Sequence, residues 1–402
     1  VTDIGVTTLA GACHSLLLRL AGRVPDGLLC QSRTWLAALE PEAMASALAS
    51  HAAAARLTLA AEDVGLLGWI LTGAGMDAAV LARVPVESGT DRADGIVAHV
   101  FAPAAPELMA TRGGEFGPCL DLTAGSPGLL GSPRSLGSPG DAPAGLSADA
   151  PGDVPDDLSG DLSGDSAGDV ADDLDRAAAA AAARIAGATA LWRAWRAPSD
   201  GSPWPPPRRV FLLALNPEAE PFEATAALQG HLAALGETDP QVEAFAPDQD
   251  LPAYQRSARA RSALLWISGS PEPVRLAPVY DGVTADGTPL FDLDRPRLTA
   301  ADREQVAAAL EAGTVLMSTT ARLDDVLDPA DGRGRVPSGF RTDGRWVWSD
   351  AVTYYLRTHG VAPVAGLLGH LNSLQTVPAT LPDAVDLFRA TAALTRPTDR
   401  SR

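Results

Sequence analysis

Lysine is absent from the 402 residues, and all 31 basic side chains are arginine. That absence excludes a Walker A phosphate loop, a Schiff-base or pyridoxal lysine, and a kinase-type lysine paired with a helix glutamate. Cysteine is scarce. Cys13, Cys30 and Cys119 are odd in number, widely spaced and without a Cys-x-x-Cys pair, so they form neither a disulfide framework nor a zinc motif. The histidines, His14, His51, His99, His231, His359 and His370, are scattered and include no His-x-x-x-His pair. No run of eighteen apolar residues occurs, and residues 1–20 lack the basic start and unbroken apolar stretch of a signal peptide. The expectation is a cytoplasmic protein with no membrane partner.

What is present is acid, unevenly spread. The net charge is −19, with 46% hydrophobic residues, enough for one large domain or two ordinary ones. Residues 1–123 hold 7 arginines against 13 carboxylates, residues 124–175 hold 1 against 11, and residues 176–402 hold 23 against 26. More than half of the net charge therefore sits in a short central spacer, and the acidity does not describe an active surface. No basic patch interleaved with aromatics appears, so nucleic acid is not an expected partner. Arg256, Arg259 and Arg261 read as the last turn of a helix, where cations suit the dipole.

Three regions follow: a helical module at 1–123, an acidic Gly/Pro/Ser/Asp linker at 124–175, and an α/β module at 176–402. In the linker, Asp157, Asp161, Asp165, Asp169 and Asp173 recur every fourth residue, with Gly160, Gly164 and Gly168 at the same interval. Stacked carboxylates and repeated glycine both oppose a helix, and the composition offers little to bury, so a disordered linker is expected. In the third region the spacing predicts a long helix from 175 to about 196, then strands at 210–215, 242–245 and 263–267 alternating with helices. That order fits a small parallel sheet covered by helices, with further strands at 274–279 and 315–318. The fold class is thus mixed α+β and α/β, ending in a β-hairpin and terminal helices. Phe340-Arg341-Thr342-Asp343-Gly344-Arg345-Trp346-Val347-Trp348 carries the hairpin, turning at Asp343-Gly344, and Ser349 or Asp350 caps the next helix.

Chemistry-bearing motifs are few. Gly164-Asp165-Ser166-Ala167-Gly168 matches a nucleophile elbow but has no strand before it. The strand at 210–215 leads into Asn216-Pro217-Glu218, not into a glycine-rich dinucleotide turn. Ligands of open parallel sheets prefer the carboxyl ends of strands, which makes Asn216, Glu218, Asp248, Ser268 and Ser270 the rim of a pocket; helix-capping loop residues are the favoured reading of the same set. Asp281, Asp286, Asp292 and Asp294, like Asp324, Asp325, Asp328 and Asp331, fit turn chemistry better than a calcium loop. No catalytic set, metal site or cofactor is expected. Trp346 and Trp348, on one hairpin face, together with Arg341, Asp343, Arg345 and Tyr354, form either core or an exposed partner-binding patch, with core preferred.

The segment from Phe340 through Tyr354-Tyr355-Leu356, followed by His359-Gly360 and a helix reaching His370, resembles a tail that recurs in uncharacterised proteins of high-GC bacteria. Val279-Tyr280-Asp281-Gly282 and Asp324-Asp325-Val326 are similar to the same group, so the resemblance spans roughly the last 200 residues. It implies no activity, cofactor or catalytic residue. Some toxin-neutralising proteins end in comparable hairpin-helix modules, a likeness of architecture alone. The leading expectation is a non-enzymatic interaction or regulatory protein of immunity type, with an unidentified protein partner. The alternative is an enzyme with its site near Asn216, Glu218 and Ser268, using Asp281 or Asp343 as acid-base groups.

Overall fold

The computed structural model describes residues 6–87, 99–123, 170–247, 249–270, 272–285, 287–292, 294–374 and 381–396. Asp248, Asp286, the Gly164–Gly168 motif and most of the spacer lie outside them. Helices α1 (Val6–Leu20), α2 (Asp26–Ala37), α3 (Pro41–Ala55) and α4 (Ala61–Gly73) open the chain. Their helical spacing buries Leu16, Leu17, Leu20, Leu29, Leu36, Leu48, Leu67 and Leu71 in one cluster. Strand β1 (His99–Ala102), helix α5 (Pro106–Arg112) and strand β2 (Leu120–Asp121) follow.

Next come α6 (Asp173–Ala182), β3 (Ala188–Pro198), β4 (Arg208–Leu215), α7 (Pro221–Ala234), β5 (Gln241–Phe245), α8 (Ala253–Ala260) and β6 (Ala263–Ile267). The helix expected over 175–196 is corrected here: it stops at Ala182, and the rest of that span is the central strand of the sheet. Gly187, at a φ of +75°, turns the chain into β3, and a Cβ there would stand 2.6 Å from both Asn216 Oδ1 and Ala219 Cβ, so only glycine fits the turn. Beyond it the letters alternate as a strand requires. Ala190, Trp192 and Ala194 face one cluster, while Leu191 faces the other.

The sheet order is β2-β6-β3-β4-β5, with β1 also paired to β3. Strands β4 and β5 are parallel, as are β2 and β6, but β3 runs antiparallel to β4, β6 and β1. The α/β class therefore holds, whereas the sheet is mixed and not purely parallel. The three strands expected side by side share one direction, yet β3 stands between β4 and β6, because a hairpin connection pairs it locally with β4. One face, with Trp192, Leu212, Phe245 and Leu264, packs against residues of α1, α2 and α8. The opposite face, with Phe211, Leu213, Val242 and Leu265, packs against α6 and α7. The result is three layers, with the opening helices as one of them.

A second, four-stranded sheet follows, in the order β10-β13-β14-β7. Its surroundings contain β7 (Arg275–Leu276), β8 (Gly282–Val283), β9 (Pro289–Leu290), α9 (Ala300–Glu311), β10 (Thr314–Met317), β11 (Arg322–Leu323), β12 (Val336–Pro337), β13 (Phe340–Thr342), β14 (Trp346–Ser349), α10 (Asp350–His359) and α11 (Ala365–Leu374). The strands expected at 274–279 and 315–318 are thus β7 and β10, and both belong to this sheet and not to the first. The hairpin forms, but its turn is longer than the two residues Asp343-Gly344: Thr342 pairs with Val347, which leaves Asp343, Gly344, Arg345 and Trp346 between the last paired residues. Helix α12 (Ala384–Thr395) returns to the first sheet: Phe388 meets Trp192 edge-on with ring centres 5.9 Å apart, and Arg389 pairs with Asp121 at 2.9 Å.

Candidate functional site

The parallel direction of β4 and β6 brings Asn216 and Ser268 to one end of the first sheet. Both bond to the start of β3, where Asn216 N–H donates to the Gly187 carbonyl at 2.7 Å and Ser268 N–H to that of Thr189 at 2.8 Å. Glu218, Ser268 and Ser270 are exposed and Asn216 is half-buried. Among the described residues, no hydrogen bond or ion pair joins any two of Asn216, Glu218, Ser268 and Ser270.

The hairpin tryptophans are core. Trp346 is 8% exposed and Trp348 1%, packed with Val306, Leu310, Leu356 and Leu367. Trp348 Nε1 donates to the Leu310 carbonyl at 3.2 Å, and Gly313 permits the approach, since a Cβ there would lie 2.3 Å from the indole. The exposed-patch alternative for these two residues is therefore corrected, because their burial face is also the face on which α9, α10 and α11 pack. The polar residues around them serve the same packing. Arg341 donates to Asp350 at 2.8 Å and to the Glu311 and Gly313 carbonyls. Asp343 accepts from the Arg345 and Trp346 N–H groups, so its Oδ1 shapes the turn, while its Oδ2 meets His370 Nε2. Arg345 is exposed, 3.6 Å from Glu272.

A second constellation escapes sequence reasoning. Asp325, 1% exposed, accepts from His359 Nε2 at 2.6 Å, from the Tyr354 hydroxyl at 3.0 Å and from the Leu327 N–H at 2.9 Å. Burial alone would raise its carboxyl, but those three bonds outweigh it and hold the group below the ordinary carboxylate range. Tyr355 lies beside it, its ring 5.9 Å from His359 and 4.8 Å from Phe291, and its phenol is pushed up, chiefly by burial. The Tyr280 hydroxyl approaches the Tyr355 hydroxyl at 3.4 Å. The segments around Tyr280, Asp325, Tyr354 and His359, separate in the chain, thus converge on one cluster. Accepting the Nε2 proton leaves Nδ1 of His359 as the basic atom. Among the described residues, no serine, threonine or cysteine side chain is hydrogen-bonded to it. Asp281 is held by Arg295 at 3.1 Å and accepts the Asp292 N–H, which makes it a turn and ion-pair residue. Asp324 and Asp328 likewise accept backbone N–H groups of Gly334 and Asp331.

The three thiols are free. Burial pushes Cys13 up to about 11 and raises Cys30 and Cys119, against the thiolate character a nucleophile needs. Among the described residues no group of three His, Cys, Asp or Glu is arranged to hold a metal, and no helix is long and apolar enough to cross a membrane.

One exposed aromatic also went unread. The connection from β3 to β4 contains Pro203, Trp204, Pro205, Pro206 and Pro207, of which the first four are exposed, Trp204 by 77%. The sequence places this tryptophan among prolines between two strands, which is a signal for a presented side chain. No family model, curated protein or solved structure matches the chain. The class that the fold defines is a mixed α/β protein with an amino-terminal helical layer and a second sheet closed by terminal helices.

Proposed function

We propose that the protein is a non-enzymatic interaction or regulatory protein that presents the ridge around Trp204 to a protein partner; neutralising a toxin would be one form of that role. The observation that carries the reading is the 77% exposure of Trp204 within a run of prolines. Scattered surface aliphatics are ordinary, but tryptophan is enriched among residues that dominate binding energy, and here it stands in a continuous apolar ridge. The test is affinity capture by the intact chain, comparing wild type, Trp204→Ala and a control at the equally exposed Leu381. Proteins lost with Trp204→Ala and kept with Leu381→Ala are the expected result. An unaltered set of captured proteins overturns it.

A second reading, an enzyme, has one observation in its favour: Asp325 fixes the tautomer and orientation of His359, as a general base requires. In that reading His359→Gln abolishes complementation of a deletion strain while the fold persists. In the interaction reading Trp204→Ala does so.

A further inference from the structure

We infer that the outer face of α4 is the contact between two antiparallel copies of this chain. The contact is independent of Trp204. From Val64 to Met76 no residue is charged. The outward positions of the helix, Gly65, Trp69, Thr72 and Gly73, share one face and are exposed, Trp69 by 50%. A surface helix ordinarily turns charged and polar side chains to water, and this one turns an indole and bare backbone. Asp63 does not change that, because it is buried on Arg19.

The glycines show what shape fits there. A Cβ at Gly68 would meet Leu81 at 3.4 Å, whereas one at Gly65 would meet nothing among the described residues. Glycine in mid-helix weakens the helix relative to alanine, and at position 65 no close approach within the chain compensates. Gly73 closes the helix, where glycine is ordinary. The hollow at Gly65 therefore suits an outside group, and the matching bulk, Trp69, stands one turn along on the same face. A two-fold axis level with Leu67 lays Trp69 of each copy over Gly65 of the other, the self-complementary pattern of an isologous pair. The same axis sets Glu62 level with Thr72 of the second copy, so no like charges oppose each other. At a net charge of −19 two copies repel on most approaches, and an uncharged face is where that opposition is least. The helix carries no basic residue, so an anionic membrane lacks its usual attraction here. A contact along about 20 Å of helix stays under the roughly 1,200 Å² of a stable interface, so the dimer is weak and concentration-dependent.

The experiment is sedimentation velocity of the full chain from about 1 to about 500 μM, over which wild type is expected to pass from monomer to dimer. Gly65→Trp adds apolar surface, so a merely sticky face would associate more tightly. In the paired register it sets bulk against bulk and weakens the dimer about tenfold or more. Adding Trp69→Ala to that variant exchanges bulk and hollow, and should recover most of the loss. Trp69→Ala alone leaves hollow on hollow and should sediment as monomer. Unchanged thermal melting of Gly65→Trp shows that the fold persists; if it melts lower, Trp69→Ala alone decides, and a dimer that survives it sinks the assignment. A chain monomeric at every concentration, a dimer indifferent to or strengthened by Gly65→Trp, or a double variant no better than the single one overturns the pairing. So does Trp69-dependent flotation with zwitterionic vesicles in place of a dimer.

Discussion

The two sheets bring distant segments together by different chemistry. In the first, buried arginines make the joins. Arg33 of α2 reaches Glu243 of β5 at 2.6 Å across 210 residues, with Gln255 of α8 on the other carboxylate oxygen at 2.9 Å. Arg193 of β3 pairs with Asp175 at 2.9 Å and donates to the Pro103 and Val170 carbonyls at 2.7 Å. Arg196 takes Asp26, and Arg389 takes Asp121. In the second sheet the core mixes Trp346, Trp348 and Tyr355 with aliphatic side chains, and the polar joins are mostly side-chain bonds of histidine: His359 with Asp325 and His370 with Asp343, beside the ion pair of Arg341 with Asp350. A buried pair adds little net stability, but a buried charge without its partner is heavily penalised. The first sheet's pairs therefore act mainly against wrong dockings of the amino-terminal helices. The second sheet's bonds tie loop and strand residues to the helices packed on that sheet.

The sharpest way to break this contrast is Arg33→Ala, which strands Glu243 at 0% exposure. A loss of about 3–5 kcal/mol is expected in urea unfolding, and the double change Arg33→Met with Glu243→Leu should recover most of it. If the double variant is no better than the single one, the pair is not an ion-pair lock. Next in size is a pH effect centred on His14, whose Nε2 donates to the Ala244 carbonyl at 2.9 Å. Burial, joined by the charge of Arg33, lowers its pKa from 6.5 to about 4 against the opposing effect of that bond. Between those values the unfolded chain binds a proton that the folded one refuses. Stability from this group is full above pH 6.5, falls as the pH drops toward 4, and is flat below. The drop is about 3 kcal/mol, and His14→Gln, which keeps an N–H donor, should lose that much less between pH 7 and pH 4.

These arginine joins mark the limit of what the sequence discloses. Short apolar runs made β4, β5 and β6 legible, and Asp343-Gly344 made the hairpin legible, because both signals are local. The strand β3 was not, since the alanine letters of α6 run on toward Trp192 and Trp195 and continue a helical count. Gly187, followed by alternation of Trp192, Arg193 and Ala194, was the contrary signal. Periodicity also cannot say which sheet a strand joins, and β7 and β10 were assigned to the wrong one for that reason. For the tryptophan hairpin the sequence leaves core and exposed patch open with core preferred, and the burial of Trp346 and Trp348 decides between them. The pairs His359–Asp325 and His370–Asp343 span 34 and 27 residues. No spacing rule covers such distances, so each member read as an isolated loop or helix-end residue.

Helix caps give the smallest and most controlled comparison between the two units. Asp172 caps α6, accepting the Asp175 N–H at 3.0 Å, and also receives both terminal nitrogens of Arg209 from β4. Burial raises its carboxyl, but Arg209 and that N–H outweigh burial and hold it below the ordinary range. Thr299 caps α9 by bonds within that first turn only, accepting the Asp302 N–H at 3.3 Å and donating its hydroxyl to the Asp302 carboxylate at 2.7 Å, on an exposed surface. A cap lost to alanine costs about 0.5–2 kcal/mol. Asp172→Ala should fall at the upper end, because it removes the ion pair to β4 together with the cap, and Thr299→Ala at the lower end. The excess should vanish when Asp172→Ala is measured in an Arg209→Met background, or below the carboxyl's titration, where the cap and the ion pair weaken together. Equal costs for the two substitutions in the wild-type background would mean that the exposed start of β4 is held by local bonds, and that the first sheet's reliance on long-range charge is confined to the buried interior.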